Sequence, residues 1–122
     1  MSENKNQEMK IESLVLSVQW IDGKTVMTWK GESDEKNPSE NLVPFFDEII
    51  DKIEGNFEIV FNELDYMNSS TIHPLIMFIK NLNDREIKTT IKYRKESKWQ
   101  EASFKALHAL TNVLTNISVL GT

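Results

Sequence analysis

Hydrophobic and polar positions alternate in the first part of the chain. Apolar residues occupy every second position from Leu14 to Trp20, and the alternation resumes at Val26 after Ile21-Asp22-Gly23-Lys24. Two alternating runs around an Asp-Gly pair are typical of a β-hairpin. The sequence therefore predicts two antiparallel strands joined by a tight turn.

The rest of the chain changes between helical and strand patterns. Apolar residues spaced three and four apart predict helices over about residues 41–54, 69–84 and 97–111. Strands are predicted at the compact or alternating runs Phe57–Leu64, Ile87–Tyr93 and Ile117–Leu120. The predicted order is β-β-α-β-α-β-α-β. Strand–helix–strand connections imply parallel pairing, so the predicted fold class is α/β, with a mixed β-sheet packed by amphipathic helices.

Two finer predictions concern the first residues and the third helix. Residues 1–10 are charged and amide-rich and lack an apolar period, which predicts a flexible N-terminal arm. A single domain is expected over residues 11–122. The apolar positions that indicate the third helix, with Phe104 and Leu107 beside them, are Trp99, Ala102, Ala106 and Leu110.

Composition excludes several classes of function. The chain has 122 residues, 39% of them hydrophobic, and no cysteine, which removes disulfides and thiolate metal sites. No apolar run has the length of a membrane span, and the polar start does not resemble a signal peptide, so we expect a cytoplasmic protein without membrane contact. The net charge of −5 disfavours nucleic acid as a partner. We expect a monomer or a weak dimer.

Cofactor and metal sites are not expected either. His73 and His108 lie far apart without paired carboxylates, which makes a poor metal site. The chain has four glycines and no glycine-rich phosphate-binding motif, so no nucleotide or other cofactor is predicted.

The strongest candidate site is the turn Asn68-Ser69-Ser70-Thr71, between a predicted buried strand and a helix. Functional groups of such folds gather at the carboxyl ends of the strands. Asn, Ser and Thr are also good helix N-caps, so capping alone is an alternative explanation for these residues. Tyr66, Met67 and His73 are predicted to form a contact rim around the turn, and Asn68 to shape it.

The neighbouring strand ends in a basic cluster. If the two strands run parallel, Tyr93 and Arg94 come to the same edge of the sheet as Ser69. They are therefore candidate contacts for a phosphate or an acidic partner. A solvated strand end explains the cluster equally well.

The stretch from Phe57 to Leu82, FEIVFNELDYMNSSTIHPLIMFIKNL, resembles the STAS domain of anti-sigma-factor antagonists. It is more similar still to the SiaC-like branch of bacterial partner-switch regulators, because Asn68 stands where the antagonists have an acidic residue. The resemblance implies phosphorylation of the first hydroxyl after this position, which is Ser69, with Ser70 and Thr71 as secondary candidates.

The same resemblance implies the partners. They are a serine kinase, a phosphatase of the PP2C type, and a downstream regulatory protein that the unphosphorylated form binds. That target is a diguanylate cyclase or an anti-sigma-type kinase.

Two other functions stay open from the sequence. Ser69 and His73 are four residues apart on a helix, the spacing of a nucleophile and a base in a small hydrolase or transferase, but no nucleophile-elbow motif accompanies them. A structural interaction domain whose hydroxyls only cap the helix is the second alternative.

Overall fold

The computed structural model describes residues 6–122. Its elements, in chain order, are β1 (Gln7–Ile11), β2 (Leu14–Ile21), β3 (Lys24–Ser33), α1 (Ser39–Ile50), β4 (Phe57–Met67), α2 (Ser69–Asp84), β5 (Thr89–Tyr93), α3 (Lys98–Thr111) and β6 (Ile117–Gly121). No helix within these residues is long and apolar enough to cross a membrane.

The strands form one mixed sheet in the order β1-β2-β3-β4-β5-β6. The first three strands pair antiparallel, and the pairs from β3 to β6 are parallel. The helices form the crossovers between the parallel strands, as strand–helix–strand sequences require. The predicted fold class, α/β with a mixed sheet and amphipathic helices, is confirmed.

The predicted hairpin is confirmed as β2 and β3. Two residues connect the strands, and both have positive φ, 52° at Asp22 and 79° at Gly23. This conformation is that of a tight hairpin turn with a twist that matches its strands, and it explains the Asp-Gly pair.

The N-terminal arm predicted over residues 1–10 is wrong for Gln7–Lys10, which lie in edge strand β1. β1 pairs with β2 along its whole length, and Met9 packs partly buried against the core. Glu8 and Lys10 on the exposed side obscure the alternation, and such charges are common on edge strands. Residues 1–5 of the predicted arm lie outside the described residues.

All three described helices pack on the same face of the sheet. Phe46 of α1 contacts Trp29, Phe78 of α2 contacts Phe57, and Phe104 of α3 contacts Phe61. Alternate residues of β4 and β5 are buried on this face, while those between them are only partly buried. The helices therefore stand over one core and leave the other face of the sheet uncovered.

The third helix turns a different face to the core from the one its apolar positions indicated. The buried residues of α3, spaced as one helical stripe, are Gln100, Phe104, Leu107 and Thr111. Ala102, Ala106 and Leu110 are exposed. Two polar residues complete the buried stripe, which hydrophobic periodicity does not reveal.

Strand β4 is the longest strand, and its second half determines where the candidate turn lies. It pairs with β5 only from Phe57 to Val60 but with β3 as far as Met67. Register shifts in the β3–β4 pairing mark β-bulges in this half, a common feature of strands near functional sites. The end of β4 therefore extends well beyond the end of β5.

Candidate functional site

Asn68 alone connects β4 to α2 and is the N-cap of the helix, so the rest of the Asn68–Thr71 turn is the first turn of α2. The Asn68 Oδ1 accepts hydrogen bonds from the Thr71 backbone N–H at 3.1 Å and from the Thr71 hydroxyl at 2.8 Å. A cap residue of this kind satisfies backbone N–H groups that the first turn of a helix leaves unpaired. One residue, Asn68, therefore performs the capping.

Thr71 is a structural residue of the turn. Its side chain is fully buried, and its hydroxyl lies 2.7 Å from the hydroxyl of Ser33, which is also fully buried at the end of β3. A kinase does not reach this oxygen unless the turn opens. Its burial argues against Thr71 as a secondary phosphorylation site.

Ser69 and Ser70 differ from their neighbours in the turn. Both are exposed, and neither hydroxyl makes a hydrogen bond to any described residue. Since Asn68 and Thr71 satisfy the helix start, these two hydroxyls have no structural task there. They are free for chemistry at the surface.

The turn is tied to the loop between β3 and α1, residues 34–38. The Asn68 backbone N–H donates to the Ser33 carbonyl at 2.9 Å, and the Asn68 amide Nδ2 donates to the Glu35 carbonyl at 2.8 Å. Asn68 therefore caps the helix with its amide oxygen and bonds to the loop with its amide nitrogen. An aspartate at position 68 can still accept the hydrogen bond from Thr71, but it has no N–H group to donate to the Glu35 carbonyl.

Carboxylates crowd this side of the turn. A hydrogen bond with the Glu12 carboxyl raises the pKa of Glu35 above its usual value, and partial loss of solvent acts in the same direction. The negative charges of Asp34 and Glu40 raise this pKa further. The loop that Asn68 contacts therefore carries two carboxylates, at Asp34 and Glu35, beside the ammonium group of Lys36.

The basic end of β5 is not brought to the turn. The register places Lys92 beside Val60, whereas Met67 pairs with Ser33 of β3. Met67 lies seven positions after Val60, whereas Arg94 lies two positions after Lys92, so the two ends differ by five positions, or about 17 Å of strand. The expectation that Arg94 joins Ser69 in one site is not met, because β4 continues beyond β5 along β3.

Tyr93 is a core residue and not a surface contact. Only 8% of its surface is exposed, its ring stacks on Phe104 at 5.3 Å, and its hydroxyl donates to the Glu101 carboxylate at 2.9 Å. This hydrogen bond raises the pKa of Tyr93 and lowers that of Glu101. Its burial and its bond to Glu101 argue against the sequence prediction of Tyr93 as a partner contact.

The three rim residues lie at the end of the sheet that carries the turn. Tyr66 is half exposed and pairs with Glu32 across the strands, and Met67 is partly buried against the core. His73 is exposed one helical turn after Ser69, and within the described residues it forms no hydrogen bond. The exposed surface of this end is thus shared by Tyr66, Ser69, Ser70 and His73.

Gln100 is a structurally important residue that the sequence reasoning missed. It is fully buried, and its Nε2 donates to the carbonyls of Phe61 at 2.7 Å and Leu64 at 2.8 Å. Its Oε1 accepts from the Arg94 backbone N–H at 2.7 Å. The side chain thus bonds to β4 where β5 has ended.

A sequence signal for Gln100 does exist. Ser97 and Gln100 have the spacing of a capping box, in which the glutamine returns to the N-cap residue. Here Ser97 does cap α3 by accepting from the Gln100 N–H, but the Gln100 amide spans the gap between strands instead. The motif indicates the helix start, and only the tertiary structure shows the second use.

Comparisons with known proteins agree with this architecture. No protein-family model and no curated protein sequence matches the chain. Among solved structures, an anti-sigma factor antagonist from Mycobacterium paratuberculosis matches with a TM-score of 0.65 and 14% identity, over 90% of each chain. The fold is STAS-like.

A second solved structure has the same fold. It is an uncharacterized protein of the DUF3478 family with a SpoIIAA-like fold, from Shewanella loihica PV-4. The match has a TM-score of 0.56 and 14% identity, over 100% of this chain and 92% of that one. The STAS-like resemblance of the sequence is confirmed at the level of the fold, and the SiaC-like branch stays a prediction.

Proposed function

We propose that this protein is a non-enzymatic phospho-switch of a bacterial partner-switching pathway, in which Ser69 accepts the phosphate. The observation that carries the proposal is that two residues of the turn make its structural hydrogen bonds and the other two do not. Asn68 and Thr71 hold the helix start, while the hydroxyls of Ser69 and Ser70 are exposed and form no hydrogen bond within residues 6–122. Ser69 is chosen over Ser70 because the family resemblance marks the first hydroxyl after the cap.

A phosphate on Ser69 is compatible with the folded protein. It adds a charge of about −1.5 to −2 at a helix N-terminus, where negative charge is favoured by roughly 0.3–1 kcal/mol when exposed. No described hydrogen bond has to break, because the Ser69 hydroxyl makes none. The modification therefore leaves the fold unchanged and alters the surface.

The same phosphate opposes a partner that covers the turn. The adjacent loop carries the carboxylates of Asp34 and Glu35 and the ammonium group of Lys36, so the added charge enters a region where carboxylates outnumber ammonium groups. A partner that buries the turn then has to remove water from a dianion, which costs several kcal/mol. Each 1.4 kcal/mol lowers the affinity tenfold, so binding is turned off.

The proposed partners follow from the resemblance and from the structural similarity to an anti-sigma factor antagonist. They are a serine kinase and a PP2C-type phosphatase that set the state of Ser69, and a downstream regulatory protein that binds the unphosphorylated form. The target is a diguanylate cyclase or an anti-sigma-type kinase, and the setting is the cytoplasm. The protein acts as a monomer or a weak dimer.

The decisive experiment compares the proteins recovered from the native host by wild type, Ser69→Ala and Ser69→Asp. We expect Ser69→Ala to retain the target and Ser69→Asp to lose it by at least tenfold. Ser70→Asp is the matched control, because it adds the same charge one residue away. Equal recovery by all variants rejects the switch, and a loss confined to Ser70→Asp moves the site to Ser70.

Two further measurements separate this function from the open alternatives. Intact-mass analysis of the protein from its host is expected to show an added phosphate that disappears in Ser69→Ala. Its absence under every growth condition supports a capping role alone. A serine-reactive phosphonate is expected to leave Ser69 unlabelled, and stoichiometric labelling at Ser69 supports the hydrolase or transferase instead.

A further inference from the structure

A groove of about 590 Å³ lies between α1 and α2 and begins beside the Asn68–Thr71 turn. Its floor includes Phe46 and Phe78, whose rings stack at 4.2 Å. Its walls include two exposed apolar side chains, Val43 with 40% and Met77 with 54% of its surface accessible. Apolar surface at this place is available to a partner.

The groove ends one helical turn from the proposed phosphorylation site. His73, one helical turn after Ser69, lines its near end, and Met77 follows on the same face of α2. A partner seated in the groove therefore reaches the turn without a change of direction. A partner bound in the groove therefore lies close to Ser69, and a charge on Ser69 affects its binding.

The charged residues of the groove have no partners of their own. Asp47, Lys80 and Asp84 line it, and none of them forms an ion pair with a described residue. Asp84 lies fifteen residues after Ser69 along α2, which is about 22 Å. The groove is therefore apolar near the turn and carries two carboxylates and one ammonium group farther away.

We propose that this groove receives an amphipathic helix of the downstream target, with its apolar face on Val43 and Met77 and its basic residues at Asp47 and Asp84. The inference rests on the proposed function and names the surface and chemistry of the partner. A helix that lies in a groove presents apolar residues at positions i, i+3 or i+4, and i+7, and this spacing suits a channel between two helices. Basic side chains match the excess of carboxylates at the far end.

This arrangement explains how one phosphate controls the whole contact. The end of the bound helix that is nearest the turn packs on apolar surface and carries no basic side chain, so the partner offers no cation to a dianion on Ser69. The basic end of the helix lies too far along the groove to compensate within the screening length of about 8 Å at physiological salt. Phosphorylation therefore weakens binding although the partner is basic.

Site-specific photo-cross-linking in the native host tests the proposal. A photoreactive amino acid replaces Met77 in the groove, Tyr66 beside the turn, or Leu110 on α3. Leu110 is the matched control, because it is an exposed apolar helix residue with 62% of its surface accessible and lies outside the groove. Circular dichroism confirms that each variant is folded.

The expected result is a cross-link from positions 77 and 66 but not from 110, and its loss when Ser69→Asp is added. The peptide joined at position 77 is expected to have apolar residues at helical spacing and at least two lysines or arginines. A peptide from a second copy of this chain, or one without basic residues, overturns the proposal. A cross-link at 66 but not at 77 overturns it as well, while the switch at Ser69 stands.

A charge variant adds a quantitative check on the purified complex. Asp47→Asn with Asp84→Asn is expected to weaken binding roughly fivefold and to reduce its dependence on salt. Asp22→Asn with Glu96→Gln removes the same charge elsewhere and is expected to change the affinity less than twofold. Equal effects of the two pairs overturn the assignment of the basic end. If no position cross-links and Ser69 never carries phosphate, the proposed function itself fails.

Discussion

Two corners at the same edge of the sheet, β4 to α2 and β5 to α3, both join a parallel strand to a capped helix but use their hydroxyl and amide groups differently. Each begins its helix with a capping side chain, Asn68 in one and Ser97 in the other. At the β5–α3 corner, Gln100 and the Tyr93 hydroxyl are both engaged inside the protein. At the β4–α2 corner, two exposed serine hydroxyls form no hydrogen bond to the part of the chain that the structure describes.

The difference shows how a candidate site can be separated from a well-capped helix. A capping or amide side chain next to a helix start is expected to be structural, and at the β5–α3 corner Ser97 and Gln100 are. At the β4–α2 corner the structural need is met by Asn68 and Thr71, so Ser69 and Ser70 are surplus to it. Surplus polar groups at the surface are the ones that indicate function.

The largest effect is expected at the structural corner. Gln100→Leu removes the hydrogen bonds to the carbonyls of Phe61 and Leu64 and to the Arg94 N–H, and these groups stay poorly solvated. We expect a loss of about 3 kcal/mol in the free energy of unfolding, measured by urea titration. A loss below about 1 kcal/mol contradicts the structural role assigned to this side chain.

A smaller effect is expected from the buried pair in the β4–α2 corner. Thr71→Val keeps the shape of the side chain but removes the hydroxyl that meets Ser33 and Asn68, so we expect a loss of about 1–2 kcal/mol in the free energy of unfolding. The double variant with Ser33→Ala is expected to lose less than the sum of the two single losses. Additive losses in urea titrations reject the Ser33–Thr71 contact.

The carboxylates beside the turn predict a pH-dependent effect of small size. The folded-state pKa of Glu35 is raised, so its charged form is disfavoured in the folded protein, and this penalty grows as the pH rises from the unfolded pKa through the folded one. Glu35→Gln is therefore expected to raise the free energy of unfolding at pH 7 but not below pH of about 4. Glu96→Gln is the control, and an equal gain at both pH values for Glu35→Gln contradicts the assignment.

The smallest effect is expected at the two free hydroxyls. Ser69→Ala and Ser70→Ala should each change the free energy of unfolding by less than about 0.5 kcal/mol, because neither hydroxyl has a partner among the described residues. Thermal unfolding of the two serine variants and of Thr71→Val compares the loss of stability at the exposed and the buried hydroxyls of the same turn. If Ser69→Ala lowers the free energy of unfolding by more than about 1 kcal/mol, Ser69 is a structural residue and the two corners do not differ as described.

Much of the fold and the location of the candidate turn could be predicted from the sequence. The spacing of apolar residues marked the three helices and most strands, and Asp22-Gly23 marked the hairpin, because these patterns reflect local backbone geometry. The position of Asn68 to Thr71 between β4 and α2 followed from the same patterns. Each of these inferences needs only neighbours along the chain.

The tertiary structure decided the features that depend on which strands lie side by side and for how far. The continuation of β4 along β3 placed the turn beside Ser33 and Glu35 and away from Arg94. The pairing of β1 and the burial of Gln100 also depend on contacts between residues far apart in sequence. Periodicity along one segment contains no information on the register with another, and this is why the sequence located the turn while its neighbours emerged only from the fold.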